Sequence, residues 1–171
     1  MISDKICKTM NDQIEKELYS SYLYLSMASY LHSLGFDGMG AWMRAQAMEE
    51  SIHGMKFFDH LIERGGDVEL QSIEQPPSEW KSPLEAFKGA LDHERMITGT
   101  INDLYKIADD ENDYASRTML QWFIDEQVEE ETNAEKNVRM LEIAGESGQA
   151  LLMIDKDLGA RVMPLVPSVK E

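Results

Sequence analysis

Glu50 and His53 stand three residues apart in the run Glu49-Glu50-Ser51-Ile52-His53, and residues at i and i+3 share one face of a helix. The direction of that face is the informative part. Met39, Met43, Gln46, Phe57 and Leu61 carry an apolar stripe of the same three-and-four spacing through both residues, so the pair lies in the seam by which this helix packs. A carboxylate in such a seam costs several kcal/mol unless it is paired or meets a metal ion. Metal binding is the chemistry this placement favours.

Three other stretches repeat the pattern. Glu17 falls on the stripe Ile6, Met10, Ile14, Ser21, Tyr24, Ala28 and Leu31, and Glu94 interrupts Leu84, Phe87, Leu91, Thr98, Ile101, Tyr105 and Ala108. Gln127 and Glu130 sit together on Leu120, Phe123, Ala134 and Leu141. One buried carboxylate is readily structural, whereas four on four separate stripes are hard to ascribe to a buried polar network or a solvated cavity. A Glu from each of two helices with Glu-x-x-His on the others is the bundle-core pattern of di-iron and di-manganese carboxylate proteins. Oxygen and imidazole donors suit iron and manganese, and the missing thiolates argue against a structural zinc site. A symmetric site would repeat Glu-x-x-His on the fourth stripe, where Gln127-Val128-Glu129-Glu130 stands instead. The second metal then has fewer ligands, all oxygen, and is held less tightly, which suits transit. Beside it Glu49, Glu126 and Glu129 form either a solvated acidic face or a third cation site at the rim.

These stripes need long helices to position them. The spacing predicts a first helix from Asp4 to about Leu34, with Ser3 or Asp4 as cap and Gly35 at its end, and an antiparallel second from Asp37 to about Arg64, closed by Gly65-Gly66. From Asp67 to Lys81 the periodicity is lost and Pro76-Pro77 excludes a helix. Such a loop serves as a long crossover that makes the second and third helices parallel. Ser82 and Pro83 start the third helix. Asp109 to Asp113 form the turn into a fourth, about Tyr114 to Ala144, which Gly145 to Gly148 end. Gln149 to Ala160 form a short fifth helix, and a tail with Pro164 and Pro167 is extended. The expected fold is therefore all-α: one four-helix-bundle domain over residues 1–171, with the bundle at about 4–145, the fifth helix at about 149–160 and the tail at 161–171. An apolar helix outside a closed bundle implies an oligomer contact.

With 171 residues and 43% hydrophobic content the chain can bury a full core. Its 32 acidic against 16 basic residues give a net charge of −16, which opposes binding to nucleic acid or an anionic membrane and favours cations. The single Cys7 excludes an internal disulfide and suits a reducing cytoplasm. Met1-Ile2-Ser3-Asp4-Lys5 carries no signal-peptide pattern, and no stretch has the length of a membrane span. The twelve Met residues are read as core filler.

At Glu17, Tyr24, Glu50, His53, Glu94, Gln127 and Glu130 the chain resembles the non-haem ferritins of bacteria and archaea, in residue type and in spacing, over nearly its whole length. The resemblance implies the ferritin-like fold and a ferroxidase that oxidises Fe2+ with O2 and stores hydrated ferric oxide in a 24-subunit homo-oligomeric shell. It implies two irons per subunit at the centre. Glu17 and His53 would bind the first, Glu50 would bridge, Glu94 and Glu130 would bind the second, and Gln127 would stand beside it. Glu49, Glu126 and Glu129, sharing Glu130, resemble the family's third iron site. Tyr24 resembles its near-site tyrosine, and Trp122 either supplies an electron or packs in the core, with packing favoured. Two departures stand out. The acidic rings of the animal three-fold channel fall at Arg117 and Leu120, and Ser51 replaces the Met that follows the Glu of the haem-containing relatives, so no haem is expected. A non-storage di-iron oxidase or peroxidase of the rubrerythrin kind is disfavoured by the absence of Cys-x-x-Cys, and a passive iron-binding cage by the intact ligand set. A DNA-protecting mini-ferritin lacks the fifth helix and builds its site across an interface. His32, His60 and His93 have no assigned role, and His93, about 100° round the helix from Glu94, is expected at the surface or an interface.

Overall fold

Ser3, Ser82, Asp113 and Ser147 each accept a hydrogen bond from the backbone N–H three residues on, and each starts a helix by occupying a donor the first turn would leave free. The computed structural model describes residues 2–164, and within them the chain forms α1 (Asp4–Ser33), α2 (Asp37–Glu63), α3 (Pro83–Asp110), α4 (Tyr114–Ala144) and α5 (Gly148–Leu158). The first four begin and end within about two residues of the expected limits. The fifth begins at Gly148 and stops at Leu158, because Ser147 caps it one position earlier than the glycine-rich break suggested. Residues 161–164 have no regular structure, and the expected extended tail at Pro167 lies outside the described residues. Gly35 and Gly65 close α1 and α2 with φ of 83° and 70°, a left-handed conformation that a side chain disfavours.

The segment 64–82 is the crossover. Asp67 and Glu69 bind Asn11 near the start of α1, Gln71 binds Asp12, and the Pro77 carbonyl accepts from Ser26 further along the same helix. The loop thus runs up α1 and delivers α3 beside the start of α2, where Trp42 packs on Phe87. This makes α2 and α3 parallel, as the loop length required. Helix α1 packs chiefly against α2 and α3 against α4, with α1 also meeting α3.

The buried apolar residues fall into two groups. One holds Tyr24, Met27, Leu31, Met39, Met43, Phe87, Leu91 and Leu141, the other Ile6, Met10, Ile14, Phe57, Leu61, Ile97, Leu120 and Phe123. Glu17, Glu50, His53, Glu94, Gln127 and Glu130 are buried along the same four helices between these groups in register. The core is an apolar bundle interrupted midway by a polar layer, and the hydrophobic burial on either side is what holds that layer together.

Helix α5 lies on α2, with its edge on α4. The Met39 backbone N–H donates to Asp155 Oδ1 at 2.8 Å. A Cβ on Gly38 would overlap the Asp155 carbonyl and crowd the Gly159 nitrogen at 3.1 Å. We expect Gly38→Ala to destabilise the α5 contact by about 1–3 kcal/mol while leaving the four-helix bundle folded. Hydrogen exchange of the α5 amides measures this directly, and unchanged protection would refute the close fit.

Candidate metal centre

Glu17, Glu50 and His53 each place a ligand atom within 4.8 Å of the others, and all three are buried. They come from the middle of α1 and the middle of α2, two antiparallel helices whose seam stripes face one another. His53 Nδ1 is 3.3 Å from Glu50 Oε2, close to the separation of two donors that share one ion at about 2.1 Å each. Gln13 Nε2 donates to Glu17 Oε1 at 2.8 Å, and Glu17 Oε2 has no hydrogen-bond partner among the described residues. A buried carboxylate oxygen without a partner is uncommon in a folded protein and calls for an ion or a water. The donor set, two carboxylates and an imidazole with no thiolate, fits iron or manganese.

Helices α3 and α4 close the layer from the opposite side. The Tyr24 hydroxyl donates to Glu94, and Gln127 Nε2 lies 3.3 Å from Glu94 Oε2 and 3.2 Å from Thr98 Oγ1. Gln46 donates to Glu130 and lies 3.5 Å from Glu50 Oε1. Glu94 and Glu130 therefore line the same layer as the three-residue cluster while holding to Tyr24 and Gln46. Neither glutamine of α1 and α2 had an expected role. Gln13 and Gln46 precede Glu17 and Glu50 by four residues each, a helical spacing that marks them as partners once the carboxylates are known to be buried.

Burial is the largest influence on every acid here, and it pushes the carboxyls of Glu17, Glu50 and Glu94 upward, the first two well above the usual range. Glu130 is pushed up to about 8 by burial and by the charges of Glu94 and Glu49. No lysine or arginine of the described residues ranks among the principal charges acting on these four. Each protonates more readily in the folded chain than in the unfolded one. For Glu130 both states bind the proton below about 4.5 and both lose it above about 8; between those values the folded chain binds more, so unfolding free energy falls as pH rises. The metal-free protein is expected to melt at progressively lower temperature as pH is raised through that window, and added Mn2+ to reverse the trend. Thermal melts in chelator across pH, with and without the cation, check it. A flat profile would mean that these carboxyls are solvated.

The rim residues are less gathered. Glu126 is half-buried with Oε1 3.9 Å from His53 Nε2, Glu49 pairs with Arg161, and Glu129 is exposed. Two expectations are corrected. His93 is not at the surface: it is 8% exposed, 2.7 Å from Ser20 Oγ and beside the rings of Tyr19 and Tyr24, and its burial lowers it to about 4. The buried face of a bundle helix is wider than 100°, so the neighbour of Glu94 falls under α1. Trp122 is not core filling either. It is 37% exposed, its ring meets the edge of His53 at 5.5 Å, and the Lys56 ammonium stands over it. Its position, one residue before the buried Phe123, turns it into the groove between α2 and α4. Of the other histidines, His32 is exposed and pairs with Asp37, and His60 binds Ser116.

The family description "Ferritin-like domain" matches residues 7–144. A bacterial non-heme ferritin of Bacteroides fragilis is 40% identical over 161 residues, spanning 94% of this chain and 100% of the relative. One from Staphylococcus aureus is 35% identical over 94% of this chain and 97% of its own length. Among solved structures, an open pore ferritin from the hyperthermophilic archaeon Archaeoglobus fulgidus superposes with a TM-score of 0.94 at 49% identity, covering 95% of this chain and all of the other.

Proposed function

Because the chain belongs to the ferritin family, we propose that it is an iron-storage ferroxidase, which oxidises Fe2+ with O2 in the polar layer and deposits hydrated ferric oxide inside a 24-subunit shell of identical chains. The observation that carries the reading is the buried acid layer itself: four carboxylates from four helices, with one oxygen of Glu17 unpartnered among the described residues and no lysine or arginine of those residues among the principal charges acting on them.

Fe2+ is the substrate, and the resemblance to the family supports reading two places for it. Glu17 and His53 hold the first ion, Glu50 bridges, and Glu94 with Glu130 holds the second, beside Gln127. Two ferrous ions carry as many positive charges as the four carboxylates carry negative ones. Their arrival displaces the protons that burial keeps on the carboxyls, so uptake releases protons and strengthens with pH. Oxidation leaves two positive charges unmatched, which favours deprotonation of incoming water and departure of ferric iron. The Tyr24 hydroxyl, donating to Glu94, keeps that carboxylate turned into the layer. His53 and Glu50, on one face of α2, fix the distance between the two places. Glu49, Glu126 and Glu129 are read as a third cation position on the way out.

Exposed Leu152 and Met153 on α5 supply an oligomer contact, and the net charge of −16 draws cations to the assembly. No helix among the described residues is long and apolar enough to cross a membrane, and a cytoplasmic protein of one domain without haem is the accompanying proposal. The test is to add Fe2+ in air, follow ferric absorbance, and pass the product over a sizing column. Fast oxidation with many irons per subunit, retained on a particle far larger than the 19.5 kDa chain, is expected. Oxidation of only two irons per subunit without a mineralised shell would point to a non-storage oxidase of the rubrerythrin kind. Retention without fast oxidation would point to a passive cage.

A further inference from the structure

Helix α5 ends at Leu158, and three residues later Arg161 folds back onto α2. Its guanidinium makes three contacts along one face of that helix. One nitrogen donates to Gln46 Oε1 at 2.5 Å, another to Glu49, and the plane lies 4.6 Å from the centre of the Trp42 ring. Positions 42, 46 and 49 share that face, and the same face begins at Gly38 and Met39, where Asp155 is clamped. The seating of α5 therefore sets where Arg161 arrives. Its side chain is 21% exposed, which is low for an arginine in an irregular segment.

The contact reaches the acid layer through Gln46. An amide has one acceptor end and one donor end. Arg161 occupies the acceptor, so the NH2 group is turned inward, where it donates to Glu130 and faces Glu50. If Arg161 leaves, the amide is free to turn its oxygen toward the layer. The guanidinium also takes up the negative charge that Glu49 would otherwise offer to an ion.

We propose that Arg161 is a tethered cation and a positioning residue: docked, it takes Glu49 out of cation binding at the rim and holds the Gln46 amide in the orientation that supports Glu130. Docking of Arg161 and filling of the Glu49 rim position by a third metal ion exclude one another. Iron that leaves the layer by way of Glu49 displaces the guanidinium first. The inference rests on the metal-centre reading above and deepens it.

The test uses the assembled full-length protein and Fe2+ alone, without oxygen. Crystals of the natural protein, Arg161→Gln and Arg161→Lys are soaked, and anomalous density locates the ions, while anaerobic titration gives the rim affinity. Removing the competing charge is expected to tighten rim binding on the order of tenfold, with the Glu17, Glu50 and His53 position filled equally in all three proteins. Lysine keeps the charge but not the two-pronged geometry, so Arg161→Lys should restore part of the competition, which a merely structural role would not do. Equal rim affinity in the natural protein and Arg161→Gln would overturn the proposal. Iron absent from Glu17, Glu50 and His53 in every protein would overturn the metal-centre reading, and this inference with it.

Discussion

Glu50→Gln is expected to lower the initial rate of ferrous oxidation by more than about 100-fold while raising the thermal stability of the metal-free protein at pH 8. Removing a group that merely supports a ligand costs on the order of 10–100-fold in affinity or activity, and Glu50 is the group proposed to touch both iron positions. An amide keeps the shape of the side chain but cannot bridge two cations. The stability gain has a separate cause. The Glu50 carboxyl is 2% exposed, and its ionisation is opposed first by burial and then by Glu94 and Glu130. The unfolded carboxyl is ionised at pH 8 whereas burial opposes that charge in the folded chain, and the neutral amide removes this difference between the two states. Stopped-flow absorbance and calorimetry read the two effects. Undiminished oxidation would remove Glu50 from the ligand set, and an unchanged melting temperature would show that its charge is matched by something else.

The second large effect separates the two iron positions. Glu130→Ala is expected to slow oxidation by about 10–100-fold mainly by emptying the second position. Glu130 is held by Gln46 and acts with Glu94, whereas the Glu17, Glu50 and His53 cluster is built from α1 and α2 without it. On α4 a symmetric Glu-x-x-His would bring its carboxylate at position 127 and its imidazole at 130, whereas here Gln127, which donates its NH2 toward Glu94 and Thr98, and Glu130 stand in those places. The second position thus begins with the weaker donor set, and loss of one carboxylate leaves it little. Anomalous diffraction from anaerobically soaked crystals should find the first position filled and the second depleted. Equal depletion of both would contradict the division of ligands between them.

The two features that the spacing misjudged, His93 and Trp122, err in opposite directions for one reason. Each sits about 100° from a seam residue, and at that angle burial depends on how closely the neighbouring helix approaches. Helix α1 lies over His93 through Tyr19, Ser20 and Tyr24. No helix covers Trp122 as fully, and its ring rests on His53 under the ammonium of Lys56. Residues squarely on the stripes, such as Met43, Phe57, Phe87 and Phe123, were legible because no packing of a four-helix bundle could leave them outside.

What the sequence by itself determined is local and periodic. Capping residues set the starts of α1, α3 and α4, three-and-four spacing set the buried faces, and that spacing put Glu17, Glu50, His53, Glu94, Gln127 and Glu130 on those faces. Hydrophobic periodicity reports direction around a helix axis, so it says which side chains turn inward. It carries no information on height or rotation between helices. The tertiary structure alone decided that Glu17, Glu50 and His53 close to within 4.8 Å while Glu94 turns to Tyr24 and Glu130 to Gln46. It also decided which end of the Gln46 amide faces the carboxylates, because that depends on Arg161, 115 residues away in the chain. A contact over such a separation is made only when α5 seats on Gly38, and no spacing in the sequence encodes the meeting of two segments that only packing brings together.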